Sequence, residues 1–255
     1  MASTLDTTDL ESKVKQMYRE VAEEPDRKYH FELGRPLADR LGYPSEVLDR
    51  VPEGAVESFA GVGYFFDLAS LEPGETVLDL GSGSGMDVFF AAIQVGDGGA
   101  VVGIDFTAEQ LAKARALADD AAFDQVEFRE GRIERLPADD GGVDCVISNG
   151  VINLSPEKDE VFAEVARVLR PGGRLAVADI VSEQQLKESI VCDASLWASC
   201  IGGAAQEDAY RDAIESAGLR IEKLRANPYE FISERARNAS AKYGVKSVSL
   251  LARKE

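Results

Sequence analysis

The 255 residues carry 46 acidic against 28 basic side chains, a net charge of −18, with 45% hydrophobic and 29% charged residues. Those fractions suit one large globular α/β domain, or a core with an added cap, and exclude wholesale disorder. The acidity excludes a broad phosphate-binding surface, which needs clustered Lys and Arg to displace counterions, so nucleic acid is not expected as a partner. It reads as a solvated surface or as adaptation to high salt. No apolar run is long enough to cross a bilayer, and the polar start at 1–12 lacks the basic opening and apolar centre of a secretory leader, so a cytoplasmic location with no membrane partner is expected. Cys145, Cys192 and Cys200 form no Cys-x-x-Cys pair and His30 is the only histidine, so no metal site is expected. Thiols kept in a reducing compartment fit this pattern.

The chain opens with a helical pattern over 10–22, followed by a stretch of scattered Pro and Gly over 25–63 that reads as a cap. From Thr76 onward apolar, strand-like runs alternate with helical ones, the pattern of parallel βαβ units. The predicted strands are 76–80, 100–105, 126–130, 143–148 and 174–179, and two of them are almost uncharged, as expected when helices cover both faces. The best-punctuated helix spans 156–170, with Ser155 as N-cap, Pro156 at its first position and Pro171-Gly172-Gly173 as its stop. Its inward stripe is Val161, Phe162, Val165, Val168 and Leu169. Residues 183–205 read as mostly helical, broken at Cys200-Ile201-Gly202-Gly203, and form an insertion over the site. A helix over 207–217, closed by Gly218, then leads to strands at 220–225 and 247–252, a terminal antiparallel pair. The expected division is a cap over 1–70 and a core over 71–255, with 182–206 as the insertion.

Gly81, Gly83 and Gly85 follow a strand and precede a helix, where the backbone must turn sharply and lie against a ligand. In isolation such a loop is as well explained by a tight turn. A dinucleotide fingerprint would need glycine at position 86, which is Met86, so the nicotinamide reading loses ground. A second buried strand ends in Asp105, about twenty residues after the last loop glycine, where a ribose-binding carboxylate belongs. Capping of the helix that starts near Thr107 is an alternative role for Asp105 but leaves the glycine loop unexplained. Asp79 either helps hold the ligand or makes a structural hydrogen bond.

The chain resembles the class I S-adenosylmethionine-dependent methyltransferases, and more narrowly the arsenite methyltransferase family. The resemblance covers most of the chain and rests on residues 51–55, 77–87, 103–111, 148–156 and 200–204. Its most specific part is Ser148-Asn149-Gly150-Val151-Ile152-Asn153-Leu154-Ser155. It implies a doubly wound, mostly parallel seven-stranded sheet of Rossmann-like type, with an N-terminal helical cap and an insertion after strand 5. It implies S-adenosyl-L-methionine as cofactor, held by Asp79, Gly81, Ser82, Gly83, Gly85, Asp105, Phe106 and Gln110. Gly131, Arg132, Ile133 and Glu134 would border the adenine. Ser148, Asn149 and Val151 would lie beside the methyl group, and Tyr18 would close over the cofactor from the cap. Ordinary turn chemistry is the alternative for Asn149 and Asn153.

By the same resemblance the acceptor is trivalent arsenic held by thiols, with Cys200 and Asn149 as the catalytic pair. Two thiol positions of that family are Val62 and Gly150 here, and only Cys200 matches. A soft centre needs at least two thiolates for firm capture, so glutathione or another small thiol would complete the coordination. Cys192 reaches the same face as Cys200 only if the chain between them stays helical, and Cys145 reads as a buried apolar residue. Methylation of a small organic acceptor at O, C, N or S is the second reading, with His30, Tyr29 and Tyr64 as candidate bases. The aromatic set Phe59, Tyr64, Phe65 and Phe66 fits either an acceptor pocket or cap-to-core packing.

Overall fold

The computed structural model describes residues 5–193, 196, 197 and 201–255. Helix α1 (Thr7–Glu23) starts at Asp6, whose carboxylate accepts the Thr8 and Asp9 amides, and it buries Leu10, Val14, Val21 and Ala22. Four short helices complete the cap: α2 (Gly34–Leu41), α3 (Ser45–Leu48), α4 (Glu53–Glu57) and α5 (Phe66–Ala69). In α2 the buried Gly34, Leu37, Ala38 and Leu41 follow the i, i+3, i+4, i+7 spacing, whereas the other three are too short to establish a 3.6-residue apolar period.

The core runs β1 (Thr76–Leu80), α6 (Met86–Val95), β2 (Ala100–Asp105), α7 (Ala108–Asp120), β3 (Val126–Glu130), β4 (Val143–Asn149), α8 (Lys158–Val168) and β5 (Leu169–Ser182). It continues with α9 (Glu188–Val191), β6 (Ala205–Gln206), α10 (Glu207–Ser216), β7 (Leu219–Ala226), α11 (Glu234–Tyr243) and β8 (Lys246–Lys254). The main path of the sheet has the order β3-β2-β1-β4-β5-β8-β7, which is the seven strands expected; the two-residue β6 adds to β5 off that path. Strands β1 to β5 pair in parallel, and β8 lies antiparallel between β5 and β7. The order reverses between β1 and β4, so the crevice at their carboxyl ends is where a doubly wound sheet takes its ligand.

Cap residues pack with α6 and α7 on one face of the sheet, while α8 and α10 cover the other with Val161, Phe162, Val165, Tyr210 and Ile214. The exposure of Val77, Val101, Ile104, Cys145, Val146 and Ile147 is 0%, which explains the uncharged runs. Arg174 on β5 ties this sheet to the end of α5: its guanidinium grips Glu75 through two hydrogen bonds of 2.7 and 2.6 Å and also donates to the Ala69 and Ser70 carbonyls.

Two expectations need correction. The helix predicted over 156–170 is shorter, and 169–173 do not stop it but begin β5: Leu169 pairs with Val143, and a register shift before Cys145 and Arg174 absorbs the Pro-Gly-Gly segment. Among the described residues the insertion holds the four-residue α9, helical backbone at Leu196 and Trp197, and the short β6, so the described part is not mostly helical. Gly202 and Gly203 press so closely on Trp197 and the Asn153 carbonyl that a Cβ on either would fall within 2.3 and 1.8 Å of another atom, so close packing replaces helix there.

Candidate cofactor site

The loop after β1 owes its shape to two glycines above all. Gly81 has φ +70°, and a Cβ there would meet the Val151 methyls at 2.5 Å; Gly85, with φ +94°, caps α6 and leaves 2.7 Å to the Phe128 ring. Asp105 at the end of β2 holds this loop, accepting the Gly83 amide at 2.9 Å and the Thr107 amide at 2.8 Å. The Thr107 contact is an Asx turn ahead of α7 and not a helix cap, since Thr107 is itself the N-cap and the helix has no side-chain cap bond. Gln110 is 1% exposed and bridges loop to cap: it accepts from the Ser84 hydroxyl and donates to the Tyr18 carbonyl at 2.8 Å. Further links between α1 and the core are the ion pairs Arg132–Glu11 and Arg19–Glu109, and Lys113, which donates to the Ala22 carbonyl and to Ser58.

Under this cap lie two adjoining cavities that share Val14, Gly81, Asp105, Phe106, Val151 and Leu154. The larger, about 520 Å³, is bordered by Gly131, Arg132, Ile133 and Glu134. The smaller, about 80 Å³, is lined by Tyr18, Asp79, the loop from Gly81 to Ser84, Gln110 and Asn149. Two expected residues stand apart. The Ser148 hydroxyl donates to the Leu80 carbonyl at 3.0 Å inside the sheet, and Gly85 turns the chain without lining either cavity. Cys200 lies outside the described residues. Asn153 is buried beneath the site, donating to the Gly150 carbonyl and to Asp179.

The smaller cavity also receives Phe59, one of the aromatic residues read as fitting an acceptor pocket or cap packing, and Gly61, Met86 and Asp87, which the sequence pattern does not mark as ligand residues. Asp87 does carry a signal: it is the one charged residue of α6, an otherwise apolar helix that is buried almost all round. Phe65 and Phe66 are core, 0% and 2% exposed. Of the candidate bases, Tyr29 donates to the Glu24 carbonyl, Tyr64 packs edge-on to Tyr43, and His30 lines a niche of about 10 Å³ with Tyr18, Phe31, Val62, Tyr229 and Phe231.

Asp79, Asp87 and Asp105 make the site electrostatically distinctive. Burial pushes all three carboxyls up; at Asp79 the nearby charges of Asp87 and Asp105 add to it, while hydrogen bonds from Tyr43 and Asn149 temper the rise at Asp87, which reaches about 6. Among the described residues no Lys or Arg pairs with any of them, and none lines the smaller cavity. Buried carboxylates gathered without a cation of their own fit a cationic ligand, and S-adenosylmethionine carries both a sulfonium and an ammonium. The wider cavity, lined by Asp105 and by residues 131–134, fits the remainder.

A pH dependence follows. A cationic ligand favours the ionised carboxylates, whereas below about 6 Asp87 holds its proton, so ligand uptake there must release protons. S-adenosylmethionine affinity is expected to strengthen as pH rises through about 6, followed by calorimetry in buffers of differing ionisation enthalpy. Affinity that is flat across that interval would contradict it. In the ligand-free protein the sign reverses: a carboxyl raised on folding subtracts stability as pH climbs from its unfolded value towards about 6.

The doubly wound sheet, the glycine turn at its switch point and the acid-lined cleft define a Rossmann-like cofactor-binding enzyme. Residues 71–218 match the methyltransferase-domain family. An arsenite methyltransferase of Halobacterium salinarum is 41% identical over 199 residues, covering 77% of this chain and 51% of its own. One from Aquipseudomonas alcaligenes is 46% identical over 142 residues, 53% of this chain and 41% of its own. The crystal structure of an arsenic(III) S-adenosylmethionine methyltransferase from Chlamydomonas reinhardtii superposes with a TM-score of 0.64 at 30% identity, over 87% of this chain and 74% of that one. The chain belongs to the S-adenosylmethionine-dependent methyltransferases, in the arsenite methyltransferase-like family. It spans about half the length of the curated relatives it matches.

Proposed function

We propose that the chain methylates trivalent arsenic presented as a complex with small thiols, glutathione or an equivalent, with S-adenosylmethionine as donor. The observation that carries this reading is the meeting of two distant segments: a Cβ on Gly150 would lie 3.1 Å from Val62. These are the two positions where thiols are expected in the family, and here they stand together without sulfur. With only Cys200 left of the expected set, the acceptor must bring most of its own sulfur. Cys145 is no substitute, being fully buried with its thiol pushed up to about 12 by burial.

In this account Asp105 accepts from the ribose hydroxyls, Gly131 to Ile133 border the adenine, and Asp79 and Asp87 face the cationic end. Bound S-adenosylmethionine supplies an electrophilic sulfonium methyl group. The protein holds the partners in line and keeps water out, with α1 and Phe106 roofing the cleft. A lone pair on arsenic or sulfur needs no general base, which agrees with the absence of a histidine from the described linings of both cavities. Among the described residues no helix is long and apolar enough to cross a membrane. A cytoplasmic site of action, where thiols stay reduced, and independence from nucleic acid belong to the same proposal.

The test supplies arsenite, reduced glutathione and S-adenosylmethionine, and follows S-adenosylhomocysteine and methylated arsenic together. Glutathione-dependent methylarsenic is expected; S-adenosylhomocysteine formed only with phenols, amines or carbon acids would move the assignment to an organic acceptor.

A further inference from the structure

Asn149 ends β4 at the wall of the smaller cavity, yet its side chain is committed elsewhere. Its Oδ1 accepts the backbone amides of Val62 at 2.7 Å and Gly63 at 3.3 Å. Its Nδ2 lies 3.0 Å from each of three acceptors: the Gly63 carbonyl, the Tyr43 hydroxyl oxygen and Asp87 Oδ2. Tyr43 in turn donates to Asp87 Oδ1 at 2.7 Å, and its ring is fixed edge-on by Phe59, Tyr64 and Phe90. From the other side, Ser247 on β8 donates to the Val62 carbonyl at 2.6 Å. Gly61 and Gly63 have no room for a Cβ, which would fall 2.6 Å from Asn149 Nδ2 in one case and 2.1 Å from Asn227 in the other.

We propose that Asn149, with Asp87 and Tyr43, is a positioning residue that locks the segment 61–63 of the cap to the cofactor cradle, and so sets the acceptor wall against the donor. That this segment is the acceptor wall rests on the proposed function; the lock itself does not. An amide is the only side chain of this size that accepts two backbone amides on one atom while donating to a carboxylate and a carbonyl from the other. Aspartate cannot donate, and at position 149 it would face the Asp87 carboxylate across a hydrogen-bond distance. Leucine can do neither.

The experiment compares wild type with Asn149→Leu, Asn149→Asp, the exchange Asp87→Asn/Asn149→Asp, and Tyr43→Phe, which keeps the ring and removes only the hydroxyl. Amide hydrogen exchange at Val62 and Gly63 is read together with S-adenosylhomocysteine affinity and turnover on arsenite with glutathione. In Asn149→Leu, exchange at both amides is expected to accelerate about 100-fold while S-adenosylhomocysteine affinity stays within about threefold. Turnover falls about 100-fold, in kcat and not in the KM for S-adenosylmethionine. Tyr43→Phe shows the same pattern at about a tenth of that size. The exchange variant recovers at least about tenfold of the protection lost in Asn149→Asp, because an amide donor on α6 would again face a carboxylate at the end of β4. Wild-type exchange at Val62 and Gly63 in Asn149→Leu overturns the lock, and so does a loss of S-adenosylhomocysteine affinity that matches the loss of turnover, which would make Asn149 a cofactor ligand. Absence of methylarsenic from the wild type counts against the proposed acceptor alone, and the exchange and affinity measurements still decide on the lock.

Discussion

Replacing Asp105 with alanine is expected to weaken S-adenosylmethionine and S-adenosylhomocysteine binding by about 100-fold, measured by titration calorimetry. A hydrogen bond to a charged group contributes about 1.5–3 kcal/mol, and two to the ribose together exceed the ~2.8 kcal/mol that a 100-fold change requires. Part of the loss is indirect, since the carboxylate also holds the Gly83 and Thr107 amides at 2.9 and 2.8 Å. Asp105→Asn separates the two contributions. It leaves one oxygen to hold one of those amides and places a donor where the other needs an acceptor, so an intermediate affinity is expected. An alanine variant that binds within about threefold of wild type would remove Asp105 from the ligand's contacts.

The second large effect concerns stability. Arg174 and Glu75 are 9% and 12% exposed at their side chains, and their paired hydrogen bonds join the sheet to the chain entering β1. Removing one partner of such a pair strands the other charge away from water, which costs about 3–5 kcal/mol. Arg174→Met should therefore lose about that much in urea denaturation, together with the guanidinium's bonds to the Ala69 and Ser70 carbonyls. The double variant Arg174→Met/Glu75→Leu should regain most of it, because apolar groups of similar size replace a buried pair at little net cost. A single variant within about 1 kcal/mol of wild type would show that Glu75 is hydrated despite its surroundings.

What the sequence discloses and what it hides follow a physical line. Strands β1, β2 and β3 are legible to the residue, because each is a short apolar or alternating run bounded by turn residues. β5 reads too short because Pro171-Gly172-Gly173 is ordinary helix-ending chemistry, and only the pairing of Leu169 with Val143 turns it into a bulged strand. The glycine loop and Asp105 are legible because their geometry is local: a turn, then the end of the neighbouring strand. Asp87 is marked by its lone charge on α6 but its role is hidden, since that depends on Tyr43 and Asn149, which lie 44 and 62 positions away. Ser148 shows the opposite error. It sits at a strand end, as a ligand residue would, but its hydroxyl bonds to Leu80 across the sheet.

The family's acceptor chemistry is legible only as a set of positions. Val62 and Gly150 are far apart in the chain, and their approach within the cap-to-core junction is a property of the fold. Under the proposed function, their identities as valine and glycine would leave the acceptor to be held by its own thiols and by Cys200, and this is where the chain departs most from the resemblance it carries.

The central claim is that the acid-lined cleft at the carboxyl ends of β2, β1 and β4 takes S-adenosylmethionine and not a nicotinamide dinucleotide. Calorimetric titration of the wild-type protein with S-adenosylhomocysteine and, separately, with NAD tests it most directly. Saturable binding of S-adenosylhomocysteine with no heat from NAD is the predicted result. Saturable NAD binding, with S-adenosylhomocysteine unable to bind or displace it, would contradict the account.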